Sequence, residues 1–127
     1  MVCWPMVLTK LKLCYIMKFM ETNVPEIDKI LPLIVSLVSP DQIMLFGSYA
    51  RGDNTEKSDI DLLIIKKDLK NGRELNNILY KAFFEKKINI PIDLISIDFN
   101  KYNELNNKIG YIYKTIKEQG KIIYETP

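Results

Sequence analysis

At 127 residues, 47% hydrophobic and 27% charged, the chain has the make-up of one globular domain long enough to bury a real core. A formal net charge of +2 is too small to mark an electrostatic nucleic-acid binder. The absence of His removes a His base, a His metal ligand and a Ser-His-Asp triad. Cys3 and Cys14 lack the C-x-x-C spacing of a zinc knuckle or redox pair, so the cytoplasm is the expected location.

The first twenty residues, MVCWPMVLTKLKLCYIMKFM, are apolar enough to raise a membrane question. Lys10, Lys12 and Lys18 interrupt the run short of the ~18 apolar residues that a span needs. The charge order and cleavage site of a signal peptide are also missing. Residues 1–20 are therefore expected to be an N-terminal extension, an extra strand or arm, or a stretch upstream of a later start at Met17 or Met20. The domain proper is expected over 21–127.

Asn23-Val-Pro-Glu predicts a helix start with Asn23 as N-cap and Pro25 in the first turn. Ile27, Ile30, Leu31, Ile34 and Leu37/Val38 continue it as an apolar stripe ending before Pro40, with Pro32 predicting a kink or a shorter helix. Gln42 to Phe46 reads as a short strand stopped by Gly47. Ser48 to Arg51 fits one helical turn, and Gly52 to Ser58 a polar loop. Ile60 to Lys66 reads as a second strand, nearly all apolar after Asp61 and so expected at the centre of the sheet. A helix over Asn71 to Lys87 and a strand over Pro91 to Ile97 follow. Asp98, as N-cap, opens a helical stretch to Gln119 with a break near Gly110. Lys121 to Tyr124 would add an edge strand. The order, roughly αβαβαβαβ, predicts an α/β domain with a single sheet and packed helices.

The chemistry gathers in FGSYARGDNTEKSDIDLLII, residues 46–65. Side chains two positions apart on a strand share a face, roughly 6–7 Å from one another. For Asp59 and Asp61 that spacing suits carboxylates bracketing divalent ions, which lie about 3.5–4 Å apart in two-metal sites. Without a cation, two like charges within 4 Å repel by about 4 kcal/mol at an effective dielectric near 20. An all-oxygen ligand set with no His or Cys points to Mg²⁺. Asp93, in IPIDLISI, becomes a third carboxylate if its strand lies beside the second. Gly47 would allow a tight turn, and the following N–H groups with the Ser48 hydroxyl would suit a phosphate. Arg51 and Lys57 are further phosphate contacts, Arg51 the better because its fork can grip two oxygens. Three acids for metal beside a phosphate cradle describe a nucleotidyl-transfer site.

With its G-S-x(10)-D-x-D pattern, the chain resembles the minimal nucleotidyltransferases of the polymerase β superfamily. Among these it is most similar to the MntA-type antitoxins paired with HEPN-domain toxins. The resemblance covers most of residues 21–127, including GSYARGD, SDIDLLI, the later IDLI and the closing GKIIYE. It implies a polymerase β-like fold and transfer of AMP from ATP, with Mg²⁺ (two ions), onto a tyrosine hydroxyl of the partner toxin, whose RNase activity is thereby silenced. By position, Gly47 and Ser48 would bind the triphosphate. Asp59 and Asp61 would bind metal, and Asp93 would complete the set and help to activate the acceptor.

Taken singly, these signals are weak: D-x-D at a strand start often faces solvent, and Gly-Ser is common turn chemistry. Their combination carries the reading. Asp53 is expected to be a surface turn residue. Arg51 divides between a phosphate contact and a surface salt bridge. Tyr80, Phe83, Phe84, Tyr111 and Tyr113 are expected as core or partner surface. The competing functions are an antitoxin that neutralises by contact alone and a small-molecule nucleotidyltransferase. No membrane association and no strong nucleic-acid binding are expected.

Overall fold

Strand β3 (Ile60–Lys66) decides the architecture, because Ile60, Leu62 and Ile64 turn to one face and Leu63 and Ile65 to the other, all buried. Only a position inside a sheet covered on both faces hides both sets. The computed structural model describes Lys18–Phe19 and residues 24–126. Beside β3 run β2 (Gln42–Phe46), antiparallel, and β4 (Ile92–Asp98), parallel. Beyond β2 come β5 (Lys121–Glu125) and the two-residue β1 (Lys18–Phe19), giving the order β1-β5-β2-β3-β4.

One face carries α1 (Pro25–Val38) and α3 (Gly72–Glu85), whose Ile27, Ile30, Ile34, Leu75, Leu79 and Phe83 close over Ile60, Leu62 and Ile64. The other carries α4 (Phe99–Leu105) and α5 (Ile112–Gln119), with Tyr102, Leu105 and Ile116 packed on Met44, Leu63, Ile65 and Ile97. One helical turn, α2 (Ser48–Arg51), joins β2 to the loop before β3. Asp98 caps α4 as expected, accepting from the N–H of Asn100 at 3.0 Å and of Lys101 at 3.3 Å.

The departures from expectation are local. The N-cap of α1 is Val24, with no side-chain cap, and Asn23 lies outside the described residues. Pro32 does not end α1, because it sits on the exposed face where its missing N–H leaves nothing buried. The last strand is not an edge: Lys18 and Phe19, from within the expected extension, pair with Glu125 and Tyr124. That strand also puts a β element ahead of the first helix, and the last helical stretch is two helices, α4 and α5. Among the described residues no helix is long and apolar enough to cross a membrane.

Candidate active site

The chain leaves β2 through Gly47, whose φ of 72° and ψ of −153° belong to a region that essentially only glycine enters. From there it winds directly into α2. The Gly47 carbonyl accepts from the N–H groups of Ala50 and Arg51, both at 3.1 Å. The preceding N–H groups, of Ser48 and Tyr49, stand outside these turn bonds, as at any helix start. Gly52, at φ 85°, ends the turn by donating to the Ser48 carbonyl at 2.9 Å. Thr55 and Ser58 then fold the loop back on itself, with the Thr55 N–H donating to Ser58 Oγ at 2.8 Å. The polar decapeptide between Gly47-Ser48 and the acids is thus a return path that sets both ends of the motif side by side.

Asp61 occupies the meeting point. It stands opposite Phe46 of β2 on one side and opposite Asp93 of β4 on the other. In a parallel pair, opposed residues project to the same face, so the Asp61 and Asp93 carboxylates are neighbours. Asp59 lies just before the strand begins, exposed, one strand repeat from Asp61. Gly47 presses on the same group: a Cβ built on it would run into the Asp61 carboxylate, 3.1 Å from its Cγ. The electrostatics follow. Burial holds the Asp61 carboxyl above its usual range, and the negative charges of Asp93 and Asp59 raise it further. Arg51 pulls the other way, and a side-chain hydrogen bond with Asp93 adds to the upward shift. Asp61 is thus the carboxyl on which the charges of the other two predicted acids and of Arg51 converge.

Arg51 forms the surface salt bridge that was one of its two expected descriptions. Its Nε lies 3.3 Å from Asp53 Oδ2, with both side chains about half in solvent at 48% and 62% exposure. Lys57 is exposed on the return loop and touches Thr55 through its backbone N–H. Phe83 is core, Phe84 is 84% exposed, and Tyr113 packs edge-on against Tyr102 with centroids 6.2 Å apart. The sequence reading missed the role of Tyr80, whose hydroxyl accepts from the Leu94 N–H at 2.9 Å, beside Asp93. A tyrosine on a helix surface gives no sequence signal of such a bond.

The acid set suits Mg²⁺, which the resemblance implies. Its donors are hard oxygens, and the carboxyl at its centre is held protonation-prone by burial and by the neighbouring negative charges, which a cation would offset. Among the described residues no three acidic, His or Cys side chains form a ready-made cage. An incomplete carboxylate set is the form Mg²⁺ takes where substrate phosphates supply the remaining ligands.

A family model described as nucleotidyltransferase domain matches residues 27–123, from α1 to β5. The chain belongs to that family. Among relatives of this nucleotidyltransferase, a candidate protein adenylyltransferase of Methanocaldococcus jannaschii is 47% identical over a match covering 38% of this chain and 62% of that protein. The chain thus spans less than two thirds of that relative's length. The crystal structure of a toxin–antitoxin with AMP-PNP matches with a TM-score of 0.55 at 22% identity, covering 84% of this chain and 75% of that one. A mutant MntA–HpeT toxin–antitoxin, carrying two Asp→Glu changes two positions apart, matches with a TM-score of 0.56 at 20% identity over the same shares. At these identities the likeness is one of fold: a mixed α/β nucleotidyltransferase domain.

Proposed function

We propose that the protein is an antitoxin that transfers AMP from ATP to a tyrosine hydroxyl of a partner HEPN-domain toxin. The observation carrying this reading is the register that sets Asp61 opposite Asp93 while Gly47, at the mouth of α2, lies against the Asp61 carboxylate. The Gly47-Ser48 turn would receive the triphosphate, with its free N–H groups and the Ser48 hydroxyl as donors and Arg51 as an added clamp. Asp59, Asp61 and Asp93 would hold Mg²⁺, which supplies positive charge for the triphosphate and lowers the pKa of the acceptor hydroxyl. Asp93, exposed on β4, would take the hydroxyl proton. The acceptor oxygen then bonds to the α-phosphorus as the bond to the bridging oxygen breaks and pyrophosphate leaves in line. Catalysis of this kind is positioning and charge compensation, which a chain without His can perform.

Support comes from the relative in the adenylyltransferase class and from the nucleotide analogue in a toxin–antitoxin of the same fold. The paired Asp→Glu changes in the second fold neighbour have the spacing of Asp59 and Asp61. The test is incubation of the purified protein with Mg²⁺, labelled ATP and the protein encoded beside it. Label on a tyrosine of that neighbour is the expected result. No label there or on any other candidate acceptor overturns the enzymatic reading, and neutralisation that survives Asp59→Asn/Asp61→Asn would make the protein a contact antitoxin.

A further inference from the structure

Asp93 is paired on one side only, whereas Asp61 is paired on both. Asp93 belongs to β4, which among the described residues is the outermost strand on its side of the sheet, paired with β3 along one edge only. The bond from the Ile60 N–H to the Pro91 carbonyl, at 2.9 Å, sets the alternation: odd-numbered residues of β4 turn their backbone groups to β3, and Leu94 turns its own outward. An outward N–H and C=O on an edge strand ordinarily face water or another chain.

Here they face α3. The Tyr80 hydroxyl accepts from the Leu94 N–H at 2.9 Å, and Asn76 Nδ2 donates to the Leu94 carbonyl at 3.2 Å. Ser96 Oγ in turn donates to Asn76 Oδ1 at 2.5 Å, which fixes which way the amide points. Gly72 opens the same line one turn earlier, where a Cβ would come within 2.6 Å of the Ser96 carbonyl. Residues 72, 76 and 80 are four apart and so lie on one side of α3. That side runs antiparallel along β4, tying the peptide groups on both sides of Leu94.

From this we infer that Tyr80 and Asn76 are positioning residues for Asp93: they brace the free edge of β4 from outside, so that the acid immediately before Leu94 stays opposite Asp61. The inference rests on the proposed nucleotidyl transfer for its catalytic consequence, but the brace has readouts of its own. Neither residue touches substrate in this scheme. Both act through the backbone that carries Asp93.

The test uses the full chain and its Tyr80→Phe, Asp93→Asn and Tyr80→Phe/Asp93→Asn variants, with Mn²⁺ as the probe metal. In Tyr80→Phe, amide exchange at Leu94 speeds up and AMP transfer falls about tenfold in kcat, the scale of a small misplacement at a reacting group, while KM for ATP holds. Mn²⁺ binding weakens in Tyr80→Phe but does not weaken further when the same change is made on Asp93→Asn. Losses that add in the double variant would overturn the inference, since Tyr80 would then act elsewhere, and so would unchanged exchange at Leu94. If wild-type protein transfers no AMP, the enzymatic reading fails, and Leu94 exchange with the Mn²⁺ cycle still decides the brace. Asn76→Ala is the second variant: it frees the Leu94 carbonyl and should reproduce the kcat loss with Tyr80 intact.

Discussion

Gly47 and Asp61 are in contact across the end of the β2–β3 pair, and Gly47 has no room for a side chain there. The first expectation follows from that contact. Gly47→Ala should destabilise the fold by about 1–3 kcal/mol from backbone strain at positive φ, with an additional cost from the Asp61 clash. Placed in an Asp61→Ala background, the same substitution should cost less, because the colliding carboxylate is gone. Denaturant midpoints for the four proteins measure the difference, and equal costs in both backgrounds would remove the contact from the account.

Asp61 also gives a pH prediction. Its carboxyl is raised above 3.8 by burial and by the charges of Asp93 and Asp59, so the folded state holds this proton more tightly than the unfolded chain. In metal-free protein its contribution to stability is complete below the unfolded value and is lost as pH rises through the folded one. Asp61→Asn should therefore match the wild type near pH 4 and exceed it toward pH 7, by about 1 kcal/mol or less for a group only partly buried. Melting curves across that window, with and without Mg²⁺, carry the test, and Mg²⁺ should stabilise the wild type alone.

Removal of both strand-start charges tests the chemistry itself. Asp59→Asn/Asp61→Asn should lower AMP transfer by on the order of 10³-fold, the size of other charge-stabilising parts in phosphoryl-transfer sites, without unfolding the protein. Circular dichroism beside a labelled-ATP assay separates the two outcomes.

Arg51 and Asp53 form an ion pair that is half in water, and their substitutions should diverge. Asp53→Ala should cost under about 1 kcal/mol of stability and leave KM for ATP unchanged. Arg51→Ala should raise KM for ATP about tenfold, as for one charge-assisted hydrogen bond. Equal effects of the two would reduce Arg51 to a surface residue.

Much of the molecule could be read from the residues because local chemistry and tertiary context agree there. β2, α2 and β3 begin and end where Gly47, Gly52 and the apolar run after Asp61 place them. The helical stretch after β4 breaks around Gly110, at φ 94°, as its glycine suggests. What failed was set by partners distant in sequence. Whether the last strand is an edge depends on Lys18 and Phe19, more than a hundred residues away. Whether Pro32 shortens α1 depends on which of its faces packs on the sheet, and the helix continues to Val38. The Tyr80–Leu94 bond depends on the pitch of α3 along β4, which no spacing in the sequence states.

The acids also share a direction. Asp61 lies on the same face of β3 as Leu63 and Ile65, and Asp93 on the same face of β4 as Ile95 and Ile97, the side roofed by α4 and α5. A macromolecule delivering a hydroxyl to these carboxylates would approach from the α4 and α5 side of the sheet, since α1 and α3 pack on the opposite one. A nanobody seated on α4 and α5 would thus compete with an incoming protein, whereas one gripping α1 would ride along as a silent handle.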